Sequence, residues 1–230
     1  MLRMTLLVVP LLTLLAASAP AAPQALLPST FVGRVDNPWF PLRPGTVFVY
    51  RGVKDGQPSR DVVRVTGRTR SIAGVRATEV RDRLYLRGRL EERTTDWYAQ
   101  DRSGNVWYLG EETAELDRRG RVTSREGTWL TGRDGARAGI YMPAHPSVGA
   151  SGRQEYYKGH AEDHFRVLAR SVPVATPFVS SRHALLTREW TPLEPGVIDH
   201  KLYVRGIGTV REQTVRGGNE LAILVSVRRR

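Results

Sequence analysis

Hydrophobic periodicity constrains this chain more than any other feature. Short runs of β-branched and aromatic residues recur between Gly, Asp and Asn turns, and nowhere do apolar residues keep helical spacing for three turns. A helical bundle is thereby excluded. The pattern predicts an all-β fold, a large curved antiparallel sheet or barrel-like meander of about 10–12 strands. Strands are expected over 46–51, 61–67, 76–87, 90–100, 105–110, 121–130, 154–158, 163–171, 183–190, 197–205, 208–213 and 221–228. The 22 Gly and 14 Pro of the 230 residues supply the turns such a meander needs.

Asp101-Arg102-Ser103-Gly104 suits a tight hairpin that sets Trp97-Tyr98 near Trp107-Tyr108 as a cross-strand aromatic cluster. Glu194-Pro195-Gly196 suits a type II turn, because proline fixes φ and glycine accepts the left-handed position after it. Trp39 to Gly45 and Trp190 to Gly196 share the form W-x-P-L-x-P-G, each leading into an expected strand. A recurrent turn or a duplicated half-domain would both produce this echo. Residues 131–149, rich in Gly and Pro, pattern weakly and read as an irregular lid or rim.

The N-terminus has the form of an export signal. Arg3 precedes an apolar run over 5–17 that is too short to span a bilayer comfortably, and Ala19 and Ala21 make an A-x-A-like cleavage site. The expected organisation is a signal peptide over 1–21, an extended Pro-rich tether over 22–30, and one β domain over 31–230. No later segment is apolar enough to cross a membrane, so no transmembrane segment is expected after signal removal. A secreted or periplasmic, cell-envelope protein follows. It has no cysteine, so disulfides contribute nothing and burial and sheet hydrogen bonds hold the fold.

The formal charge is +12, and Lys54, Lys158 and Lys201 are the only lysines, so the excess is arginine. Such a charge favours polyanions. Export makes an envelope polyanion a better partner than nucleic acid, which is not expected. Arginines that alternate along a strand, as at Arg81, Arg83 and Arg87, also describe a plain solvated sheet face.

Alternation along strands selects polar residues on otherwise apolar faces. Asp82 lies among Val80, Leu84 and Leu86, His200 among Ile198, Leu202 and Val204, Asp96 shares a face with Tyr98, and Glu189 with Leu185 and Thr187. Buried carboxylates and imidazoles are costly unless paired, so these residues are expected to meet each other or a guest. The candidate binding set is Asp82, Asp96, Glu189 and His200 with rim donors Glu155 and Tyr157 and an aromatic wall of Trp97, Tyr98, Trp107, Tyr108 and Trp190. His160, Glu162 and His164 form the one histidine cluster, but the order is not that of a zinc protease, and no metal site is assigned. Nucleophile elbows, phosphate loops and dinucleotide fingerprints are absent from the sequence, so no cofactor and no particular catalytic residue is implied.

The stretches DNPWFPLRPGT, DWYAQDRSGNVWYLGE, RQEYY and REWTPLEPGVIDHKLYVRGIGTV resemble an uncharacterised family of exported bacterial β proteins, over about Asp36 to Val210. The resemblance implies an exported β fold and carries no assigned activity. A looser similarity, at the level of fold, is to curved-sheet envelope proteins that cup lipids or lipoproteins. Three functions are compatible with the residues: binding of an amphipathic small molecule or lipid in the concave face, acid–base hydrolysis through a carboxylate–His200 pair, and an envelope scaffold holding polyanions through arginines.

Overall fold

The computed structural model describes residues 26–229, so the expected signal lies outside the described residues. The strands are β1 (Phe31–Val32), β2 (Thr46–Lys54), β3 (Gln57–Ile72), β4 (Val75–Leu86), β5 (Arg89–Asp101), β6 (Val106–Leu116), β7 (Val122–Ser124) and β8 (Trp129–Leu130), followed by β9 (Arg137–Met142), β10 (Ser151–Arg153), β11 (Glu155–Tyr156), β12 (His164–Ala175), β13 (Ser180–Trp190), β14 (Ile198–Val204), β15 (Gly208–Arg216) and β16 (Leu221–Arg229). The fold is all-β and antiparallel, as expected from the periodicity.

The main path of the sheet runs β10-β12-β13-β14-β15-β16-β2-β3-β4-β5-β6-β9-β11. Its two ends belong to one stretch of chain, because only Gln154 separates β10 from β11. That stretch pairs with β12 on one side and with β9 on the other, so the sheet is a nearly closed barrel. Gly139 permits the closure. A Cβ there would lie 2.3 Å from the Arg153 carbonyl oxygen and 2.6 Å from the Gln154 carbonyl carbon, closer than any side chain tolerates.

The first three hairpins turn on two residues each, Asp55-Gly56, Ala73-Gly74 and Arg87-Gly88, all with positive φ. This geometry matches the right-handed twist of the strands it joins, and glycine in the second place takes it without steric cost.

Alternation sends Phe48, Val65, Val80, Tyr98, Leu185, Tyr203 and Leu224 into the barrel, where they form the main core. A second, outer layer of Ile72, Val75, Ala77, Trp97, Ala99, Leu109 and Leu130 is covered by Leu26 and Phe31. Of the expected tether, Leu26 packs against this layer while residues 27–30 are exposed. The exposed stretch includes a 3-10 turn at Pro28–Thr30.

The segment over 131–149 is no lid. It contains β9, a full barrel strand beside β6, and Met142 and Pro146 are deeply buried. Its Gly-rich composition reflects the tight seam rather than irregularity.

One end of the barrel is stoppered by residues 35–42, the heart of the first W-x-P-L-x-P-G copy. Asn37, 2% exposed, holds the stopper in place. Its amide nitrogen donates to the carbonyls of Gly104 (2.8 Å) and Pro143 (3.1 Å), and its Oδ1 accepts from the Trp39 backbone N–H (2.8 Å). Gln100 Oε1 accepts from the backbone N–H groups of Asp36 and Asn37, and Gly206 N–H donates to the Pro38 carbonyl. The stopper is thus tied to three separate turns. The second W-x-P-L-x-P-G copy only links β13 to β14, with Gly196 at positive φ.

Candidate functional site

Above the stopper the barrel is not filled by side chains. A cavity of about 280 Å³ is bounded by Phe40, Pro41 and Leu42 of the stopper, by Phe48, Tyr50, Val63, Val80, Tyr98, Tyr141 and Ile207 of the wall, and by a set of charged groups. A second chamber of about 220 Å³ continues it toward the opposite end, where Val53, Lys54, Glu220 and Leu221 lie beside the turns. Asp61, Asp82, Glu92, Thr94, Glu212 and Ala222 line both chambers.

Two polar assemblies face this space. The first lies across β3 to β6 and is purely acidic: Asp61, Asp82, Glu92, Asp96 and Glu111. Burial raises the Asp61 carboxyl well above the usual range, and the neighbouring Asp82 raises it further. Burial also raises Asp82. Asp61 Oδ1 and Asp82 Oδ1 are closed to bulk solvent, and the only hydrogen bond open to the pair is the one they make to each other when Asp61 keeps its proton. Glu92 is oriented by the Thr94 hydroxyl (3.0 Å) and the Thr113 hydroxyl (3.3 Å).

Deeper in, the Tyr108 hydroxyl donates to Asp96 Oδ1 at 2.5 Å and lies 2.9 Å from Glu111 Oε2. One hydroxyl proton cannot serve both carboxylates, so the second contact is favourable only when one carboxyl carries a proton of its own. The energetics agree. Burial followed by the charge of Glu111 pushes Asp96 well up, and burial followed by the charge of Glu155 pushes Glu111 to about 8. Glu155 is itself raised to about 8, by burial and then by Asp163.

The second assembly surrounds Lys201. Its Nζ lies 2.9 Å from Glu189 Oε2 and 3.4 Å from Glu212 Oε1. Glu189 Oε1 also accepts from the hydroxyls of Tyr203 and Thr187, both at 3.0 Å. Burial opposes the charge on Lys201, yet Glu189 and Glu212 outweigh it and hold the ammonium well above its ordinary value. Burial pushes the Glu212 carboxyl up, against the pull of Lys201.

The residues expected from sequence fall into three groups. Asp82, Asp96 and Tyr98 line the cavity. Tyr108, Glu155 and Glu189 are buried behind it, Tyr108 stacked on Tyr98 with ring centroids 4.7 Å apart. The others face elsewhere. Trp97 belongs to the outer layer beneath the Arg70 guanidinium, Trp107 donates its indole N–H to Asp101 and packs edge-on to Phe31, and Trp190 stacks on His164. Tyr157 stacks on His160 in a turn at the edge of the core.

His200 corrects an orientation. The inward residues of β14 are Asp199, Lys201 and Tyr203, which turns His200 to the other face, beside Arg188 and Gln213. Burial and then the Arg188 charge lower its affinity for a proton. The histidine cluster does not converge either, since His160 donates or accepts at Glu126 while His164 begins β12. Among the described residues no group of three or more His, Asp or Glu is placed to hold a metal.

Sequence reasoning missed Asp61, Glu111, Lys201, Glu212, Tyr50 and Tyr141. Lys201 was legible in principle: it is one of three lysines in a chain that otherwise uses arginine, and it alternates with Asp199 and Tyr203.

No protein-family model matches the chain, and no curated protein matches it. The fold is similar to a protein described as exported, with a YmcC-like fold, from Bacteroides fragilis, at 15% identity and TM-score 0.48 over 83% of this chain and 99% of that one. It is also similar to a protein described as a lipoprotein from Parabacteroides distasonis, at 12% identity and TM-score 0.42 over 83% and 98%. Likenesses this distant bear on neither ligand nor location. No helix among the described residues is long and apolar enough to cross a membrane.

Proposed function

We propose that the protein is an exported binding protein that encloses an amphipathic small molecule or lipid inside its barrel. The observation that carries this reading is the unfilled interior of about 280 Å³, apolar toward the stopper and polar along β3 to β6. Ligand sites are typically concave spaces of this kind, mainly apolar with a few convergent polar groups. A barrel needed only for stability would fill its interior with side chains. The signal-like N-terminus supports export to the periplasm, cell envelope or medium. The test is native mass spectrometry of protein purified from its own host: a co-purified small molecule is expected, and bare-chain mass from every preparation refutes it.

A second reading concerns the outer wall. Arg51, Arg60, Arg64 and Arg228 flank Val47, Val49 and Val62 on a shallow groove over β16, β2 and β3, which supports contact with an envelope polyanion. Alanine at Arg51, Arg60 and Arg64 together is expected to lower the salt at which the protein leaves heparin, and an unchanged elution refutes it. Hydrolysis through a carboxylate–His200 pair has no comparable support, because His200 lies on the face away from the acids.

A further inference from the structure

We infer that the guest of the barrel bears a protonated amine or guanidinium, seated against Asp61, Asp82 and Glu92. The inference rests on the binding reading and names the chemistry of its ligand. Charge is the first argument. The cavity has acids contributed by four consecutive strands, and the one cation lining it is Lys201, already engaged by Glu189 and Glu212. In a chain of 35 Lys and Arg, arginine partners were available in number, and none lines either chamber. The nearest, Arg83, spends its guanidinium on the carbonyls of Asp82 and Thr94 rather than on a carboxylate. The other lysine of the two chambers, Lys54, stands at the far end, where its charge is favoured first by Glu220 and then by Glu92, which leaves Asp61 and Asp82 without a cation of their own.

The second argument is hydrogen bonding. The Asp61 and Asp82 carboxyls are sealed from bulk water, and the protein offers their Oδ1 atoms no donor beyond the single proton the pair can share. Buried acceptors are normally satisfied, and leaving one unmet costs on the order of 1–3 kcal/mol, more for a charged group. A guest rich in N–H donors meets both carboxyls at once, whereas an anion would add its charge to the buried acids.

The third argument is the aromatic neighbourhood. Phe40, Tyr98 and Tyr141 form an edge-to-face cluster with centroid separations of 4.6–5.2 Å, and all three line the same cavity. Ring faces attract cations as well as apolar groups. An organic ammonium with an apolar tail therefore finds acceptors on one side and rings on the other, while a bare inorganic ion leaves the apolar half empty.

The test uses the mature chain and three probes of equal length, n-octylamine, 1-octanol and octanoate, titrated by calorimetry near neutral pH. Octylamine is expected to bind roughly tenfold or more tightly than either of the others. Asp61→Asn with Asp82→Asn is expected to abolish that preference, octylamine then binding no more tightly than octanol. Glu92→Gln, beside the second chamber, is expected to weaken octylamine alone and serves if the double variant fails to fold. Octanoate binding as tightly as octylamine, or an undiminished preference in a folded variant, overturns the charge assignment and leaves the binding reading intact. Failure of all three probes to bind removes both.

Discussion

The interior acids make the protein lose stability as pH rises above neutrality, opposite to the usual behaviour of surface carboxylates in ion pairs. Glu111 and Glu155 are raised from 4.5 to about 8 in the folded chain, chiefly by burial. Between those two values the folded state keeps protons that the unfolded state has released. Stability from these groups is therefore complete below about pH 4.5 and lost as pH climbs through about 8. A single carboxyl displaced that far contributes on the order of 5 kcal/mol. Because the charge of Glu155 is part of what raises Glu111 and water relaxes part of the penalty, a combined loss of roughly 2–5 kcal/mol is expected. For a domain of this size that is a fall in melting temperature of about 5–15 °C. His164 and His200 act with the opposite sign, but both are lowered from 6.5, so they contribute no slope above that pH. Urea midpoints followed by tryptophan fluorescence from pH 6.5 to 9 isolate the acids. Glu111→Gln and Glu155→Gln should each flatten the profile. A midpoint that holds or rises over this range, or a slope that is no shallower after both substitutions, refutes the reasoning.

Other perturbations probe the stopper, the seam and the buried lysine. Asn37→Ala removes the two hydrogen bonds that tie the stopper to the turns around it and the one to Trp39 N–H within it, and is expected to cost about 2–4 kcal/mol, with faster amide exchange over residues 35–42. Gly139→Val forces a side chain into the Arg153–Gln154 backbone and should destabilise the barrel by about 3 kcal/mol or more, read from the urea midpoint. Lys201→Met strands Glu189 beside Glu212 and is expected to cost about 3–5 kcal/mol near neutral pH. Part of that loss should return near pH 5, as the Glu212 carboxyl, already raised by burial, takes a proton.

Much of the wall was legible because strand signals are local. The expected strands over 46–51 and 90–100 lie within β2 and β5, that over 76–87 overruns β4 by one residue, and Tyr98 meets Tyr108 across the hairpin that Asp101 to Gly104 closes. What failed was non-local. Strand β9 hides in a Gly-rich stretch because its glycine answers to Gln154, fifteen positions away, and a single sequence does not mark such an approach. The face of β14 was misjudged for a related reason. Ile198, Leu202 and Val204 look like the inside of a sheet, and Lys201 looks like the outside, because propensity ranks lysine among the residues least often buried. The barrel inverts that ranking where Glu189 and Glu212 receive the ammonium.

The same inversion explains why the acids were only half found. Asp82 and Asp96 stood out against aliphatic neighbours, but Asp61 and Glu111 sit in strands whose other residues alternate charge on both faces. Their common feature is not sequence context but direction: β3, β4, β5 and β6 each turn an acid inward while Arg60, Arg64, Arg81 and Arg93 alternate with them and face out. A basic chain that gathers these acids inside with no guanidinium among them has not minimised its own electrostatic energy, since exchanging one inward Val for Arg would neutralise an acid. Such an arrangement holds strain that a cationic guest releases, and the release grows with pH as the acids ionise. Ligand-induced stabilisation by octylamine should therefore be larger at pH 8 than at pH 6.5, measured as the shift in melting temperature at fixed probe concentration. A shift that shrinks over this interval, while the amine stays protonated, would show that the interior is stable by itself and that its charge has no guest to answer.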